Sequence, residues 1–153
     1  MIDVFPPALI LLLGALLIGP TRGALRTAVV LITPLLTLLA VWQVPDGVVL
    51  TFEYLQYGIQ PIEGSPVRRL FATIFALMAF GGGVYAFRQA RWYELAAAYA
   101  YAAGAVGVSF AGDLISFFLF WELMALFSTV IVWCGGTPGA RAAGIRYAIM
   151  HLL

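Results

Sequence analysis

The chain has 153 residues, of which 63% are hydrophobic and 10% charged, with a formal net charge of +1 and a mean hydropathy of +1.02. So few charges do not cover the apolar surface of a soluble domain of this length, so the composition reads as an integral membrane protein. Dispersed arginines exclude a nucleic-acid surface, and a single cysteine, Cys134, with a single histidine, His151, excludes an intrachain disulfide and a Cys- or His-cluster metal site.

The N-terminus carries Asp3 and no basic residue before its apolar run, unlike a signal peptide, so it reads as a retained helix. The first span is expected from about Val4 to Ile18, ending at the turn "GPTRG". The second runs from about Ala24 to Trp42 and carries Pro34, which kinks a helix that a packed membrane bundle tolerates.

The polar stretch from Gln43 to Arg69 follows. Its "PDG" turn signal and the β-branched and aromatic run "VVLTFEYLQY" predict a short extramembrane β-hairpin lying on the bundle. A third span is expected over about Leu70–Phe87. A fourth covers about Tyr93–Phe110, with Ala96, Ala100 and Gly104 as a small-residue stripe for close helix packing. Asp113 is a natural N-cap for a fifth span reaching Cys134. Thr137 and Pro138 open a sixth helix.

From Pro138 to Leu153 there are 16 residues, about 24 Å of helix. The first half, "PGARAAGIR", carries two arginines, so this span is expected to be incomplete and the functional unit to continue beyond it. The fold class is thus all-α integral membrane. It is one domain over 1–153, with five complete transmembrane helices, an incomplete sixth, and a β-hairpin between helices 2 and 3. All eight basic residues are arginine. Arg22, Arg26, Arg88, Arg91, Arg141 and Arg146 fall in turns on one side, which the positive-inside rule makes cytoplasmic, with the N-terminus external. Arg68 and Arg69 dissent from that pattern.

Glu122 is the feature that needs a reason. It lies about 13.5 Å along a helix starting at Asp113, near the bilayer midplane, where a charge costs about 2.5–3.5 kcal/mol even on insertion scales. Such a residue marks an ion or proton path; the alternative is a protonated acid that only bonds a neighbouring helix. His151 enters the membrane on the sixth helix, where an imidazole relays protons or makes a structural hydrogen bond. Asp113 is either an entry-side acid or simply an N-cap. Ser128 and Thr129 read as bonding their own backbone carbonyls, and Glu94 as a helix-start carboxylate with a local ion pair to Arg91.

The segments "RRLFATIFALMAFGGGVYAF" and "AGDLISFFLFWELMALFS" resemble the N-terminal third of antiporter-like membrane subunits. The resemblance is to the D-type subunit of the Mrp-type multi-subunit cation/proton antiporters, with the proton-pumping membrane subunits of respiratory complex I as broader relatives. It implies that the glutamate of "FWEL", here Glu122, belongs to a proton path and pairs with a lysine on a seventh helix. It also implies H+ and Na+ as transported ions, and no cofactor. Other membrane subunits would be partners, with the C-terminal half supplied by the same or another chain. The location would be a bacterial-type cytoplasmic membrane. This chain contains no lysine. A second reading, from another class, is a non-translocating structural membrane subunit packed through its span-four stripe.

Overall fold

The computed structural model describes residues 5–54 and 56–152. The expected start of the first span at Val4, the Asp3 carboxylate and the expected end at Leu153 lie outside the described residues. The elements in chain order are α1 (Pro7–Ile18), α2 (Gly23–Gln43), β1 (Gly47–Tyr54), β2 (Tyr57–Gly64), α3 (Pro66–Ala86), α4 (Trp92–Phe110), α5 (Leu114–Cys134) and α6 (Pro138–Leu152). The chain is therefore mostly helical, with one antiparallel hairpin between α2 and α3 paired from Gly47↔Gly64 to Tyr54↔Tyr57.

Among the described residues, three of the five expected complete spans are long and apolar enough to cross a membrane: α2, α3 and α5. The helix α1 is apolar, but its 12 residues reach only about 18 Å. The helix α4 is diluted by alanine, glycine, tyrosine and Glu94. Its place in the bundle explains that composition. It packs against α1, α3 and α5, and Leu95, Tyr99, Ala103, Val106 and Phe110 are buried in the core. A helix sheathed by other helices needs small side chains for close approach more than it needs a lipid-compatible surface.

The outer helices show the complementary pattern. Leu39 of α2 is 62% exposed, Met78 of α3 67% and Leu114 of α5 84%. Large apolar side chains displayed along whole helix faces suit hydrocarbon rather than water. Together with the apolar lengths, they mark a chain that integrates into a membrane.

Two local features depart from, or add to, the sequence expectation. The helix α3 begins at Pro66 rather than near Leu70, because Ser65 caps it by accepting from the Arg68 N–H at 3.3 Å, with Pro66 at the first helical position. Arg68 and Arg69 therefore sit in its first turn. In α2, Pro34 has no N–H to give to the Val30 carbonyl one turn earlier. Tyr99 of α4 donates its hydroxyl to that carbonyl instead. Gly83 of α3 leaves the room for this bond, since a Cβ there would collide with the Tyr99 hydroxyl.

The hairpin is docked by polar contacts at one end of the bundle. The Gln60 N–H donates to Asp113 Oδ2 at 2.7 Å, and the Gly112 N–H donates to the Gln60 carbonyl at 2.8 Å. Arg68 pairs with Glu63 at 2.7 Å, and Arg69 pairs with Asp46 at 2.7 Å while donating to the Val44 carbonyl at 2.9 Å. The two dissenting arginines are thus committed to acids and carbonyls in and beside the hairpin.

Candidate functional site

Asp113 fixes where α5 starts. Its Oδ1 accepts from the N–H groups of Ile115 at 2.8 Å and Ser116 at 3.0 Å, the geometry of an N-cap. From that start, Glu122 falls about 13.5 Å along the axis. It is the only charged residue in the 21-residue helix. The side of α5 that meets α4 is set by glycines: a Cβ on Gly104 would come within 2.6 Å of Met124 Cγ and 2.9 Å of the Phe120 carbonyl, and one on Gly107 would strike the Phe120 ring. Glu122 stands two residues from both Phe120 and Met124, about 200° around the helix. It therefore faces away from α4.

The helix α6 receives that face. The turn at Gly135–Gly136 places Gly136 at φ 70°, and Thr137 caps α6 by accepting from the Ala140 N–H at 3.0 Å. Gly144 lies against the Trp133 indole, where a Cβ would not fit. Ser128 and Tyr147 share a hydrogen bond of 3.0 Å. These two contacts set an antiparallel register. One turn past Tyr147, His151 comes level with about residue 124 of α5, within about 3 Å of the Glu122 level along the axis.

Glu122 and His151 line one groove of about 260 Å³, with Ala125, Leu126, Thr129, Trp133 and Ala148. Both side chains are half-buried. The His151 ring lies against the Tyr147 ring at 4.1 Å, and its Nδ1 is 3.0 Å from the Tyr147 carbonyl. A carbonyl only accepts, so in the neutral imidazole that nitrogen carries the proton and Nε2 holds the lone pair.

The structure thus brings two of the three candidate residues together and sets the third apart. Asp113 stands at the hairpin end, with its oxygens engaged by Ser116, Ile115 and Gln60. Burial raises its pKa, but the hydrogen bonds it accepts, helped by the nearby Ser116 hydroxyl, outweigh this and hold the carboxyl below its ordinary range. Glu94 accepts from the Arg91 backbone N–H at 3.1 Å as part of a capping box, not from its guanidinium, which donates to the Tyr93 hydroxyl, so the expected ion pair is not formed. Ser128 and Thr129 both bond the Ala125 carbonyl, at 3.0 and 2.8 Å. Among the described residues the ion pairs, Arg68–Glu63 and Arg69–Asp46, both lie at the hairpin, so Glu122 has no basic partner of that kind. Beside the groove, Tyr147 contacts both His151 and Ser128, which sequence reasoning misses. Its spacing of four from His151, on one helical face, is the signal that could have found it.

No family model matches the sequence, and no curated protein matches it. The fold is similar to that of a chain in the solved structure of the membrane-bound sulfane sulfur reductase (MBS), described as an archaeal respiratory membrane complex. The TM-score is 0.76 at 19% identity, over 94% of this chain and 32% of that one. The chain therefore spans about a third of that neighbour's length and has the same fold as that part of it.

Proposed function

We propose that this chain is the N-terminal portion of a proton/cation-translocating membrane subunit, of the Mrp-type antiporter and complex I-like class, with Glu122 as its intramembrane acid. The observation that carries the reading is the lone carboxylate halfway along α5, turned into a groove. The fold shared with a chain of a respiratory membrane complex supports it. In this reading α1 to α5 all cross the bilayer. The N-terminus and hairpin lie outside, and the arginine-bearing turns lie in the cytoplasm of a bacterial-type cell. Other membrane subunits surround the chain, and H+ with Na+ are the ions moved. Glu122 takes up a proton and passes it toward a basic group, the seventh-helix lysine of the resembled family, supplied outside these 153 residues.

The test is pH-gradient-driven Na+ exchange by the intact complex in vesicles. Glu122→Gln is expected to abolish exchange while assembly is retained, and Glu122→Asp to keep part of it. Unchanged exchange in the Gln variant overturns the reading. It would favour a non-translocating subunit, the alternative supported by the lack of any lysine in the chain.

A further inference from the structure

Three facts about the α5–α6 groove meet at His151. The imidazole lines the same groove as Glu122. The register set by Ser128–Tyr147 and Trp133–Gly144 brings it within about half a turn of Glu122 along the axis. The Tyr147 carbonyl holds the ring as the Nδ1–H tautomer, leaving Nε2 as a base. Of the titratable and charged groups on the two helices that form the groove, Glu122 of α5 lines it and Tyr147 of α6 lies against the His151 ring, while Cys134 ends α5 at the turn and Arg141 and Arg146 of α6 are exposed.

We infer that His151 is the proton acceptor for Glu122 within this chain, an element that rests on the reading of Glu122 as a proton carrier. In the step, the O–H bond of the protonated Glu122 carboxyl breaks and an N–H bond forms at His151 Nε2, with the proton carried across by water in the groove that both side chains line. Neutral acid and neutral imidazole become carboxylate and imidazolium, so no net charge enters the groove. The opposite charges created face each other, which stabilises both in low dielectric. Loss of the Nε2 proton to a further base beyond the groove resets the imidazole.

The same exchange assay tests this in the intact complex, with three variants. His151→Asn keeps an amide donor for the Tyr147 carbonyl but has no titrating nitrogen. It is expected to slow exchange by about 100-fold, the scale of a lost acid–base group. His151→Ala is expected to be equally slow and to recover at least tenfold when free imidazole is added. Glu122→Gln serves as the reference for the underlying reading, and imidazole is not expected to restore it. Parent-like exchange in His151→Asn, with Glu122→Gln inactive, overturns the inference and leaves the reading of Glu122 intact. Parent-like exchange in both variants overturns both. Should His151→Asn fail to assemble, imidazole recovery of His151→Ala decides: recovery supports the relay, and its absence assigns His151 a structural hydrogen bond only.

Discussion

Tyr99 and Val30 are 69 residues apart and joined by a hydrogen bond from the phenol to the backbone carbonyl. The carbonyl is the one that Pro34 cannot serve. In hydrocarbon an unserved carbonyl costs several kcal/mol, so α4 repairs a defect that the sequence writes into α2. Tyr99→Phe is expected to destabilise the bundle by about 1–3 kcal/mol. A Pro34→Ala background restores the missing N–H at that position, and the cost of Tyr99→Phe is expected to fall there by half or more. A double-mutant cycle of thermal unfolding in detergent reads this coupling; additive effects would contradict the repair.

Gly104 of α4 and Gly81 of α3 should behave in opposite ways. Gly104 faces the Phe120 carbonyl at 2.9 Å from a would-be Cβ, whereas Gly81 has nothing within 4 Å. Gly104→Ala pushes α4 away from α5 and is expected to cost about 1–3 kcal/mol. Gly81→Ala removes backbone freedom from the unfolded chain and is expected to be neutral or stabilising by up to about 1 kcal/mol. Unfolding midpoints of the two variants against the parent check the contrast.

Asp113 ties the hairpin to α5, and its carboxyl titrates below its ordinary value of 3.8 in the folded chain. A carboxyl held low stabilises the fold at pH values above 3.8. That contribution is lost as the pH falls through the lower folded value. Hydrogen-exchange protection factors at the Gln60 and Ile115 amides, taken relative to the intrinsic rate at each pH, are therefore expected to be high at neutral pH and to fall below about pH 4. Asp113→Asn keeps a helix cap but drops the charge, so its Gln60 protection factor is expected to be lower than the parent's at neutral pH and to change less with pH.

Gly144 supports α6 by letting the Trp133 indole lie against its backbone. Gly144→Val is expected to lift α6 from α5 while α1 to α4 keep their packing. Hydrogen exchange should rise across Pro138–Leu152 and remain parent-like in α4. An equal rise in both helices would show that α6 contributes to the core, which its position against α5 does not provide.

Local chemistry is legible in the sequence wherever a helix end is involved. Asp113, Thr137 and Glu94 act as caps, and the "PDG" turn opens a hairpin, because these signals act over three or four residues. The start of α3 reads four residues late, since Arg68 and Arg69 look like a membrane boundary while the Ser65–Pro66 pair is the stronger helix signal. The hydropathy of α4 is low for a tertiary reason, its burial among α1, α3 and α5, which no window average contains. Pro34 announces a freed carbonyl at Val30 but not its donor on α4. Glu122 and His151 are each conspicuous alone. Their shared groove depends on how α6 lies along α5, and that register is set by Gly144 and Ser128, residues with no conspicuous chemistry of their own.

The bond from the Gln60 amide to the Asp113 carboxylate spans 53 residues. During synthesis the strands β1 and β2 emerge well before the carboxylate that anchors them. At ribosomal speeds of about 5–20 residues per second the delay is roughly 3–10 s. Through that interval the strands are held by their own pairing, by the Arg68 and Arg69 pairs and by the packing of Val49, Leu50 and Ile62 on the apolar core. The time the ribosome takes to deliver Asp113 thus sets the earliest moment at which this end of the molecule closes.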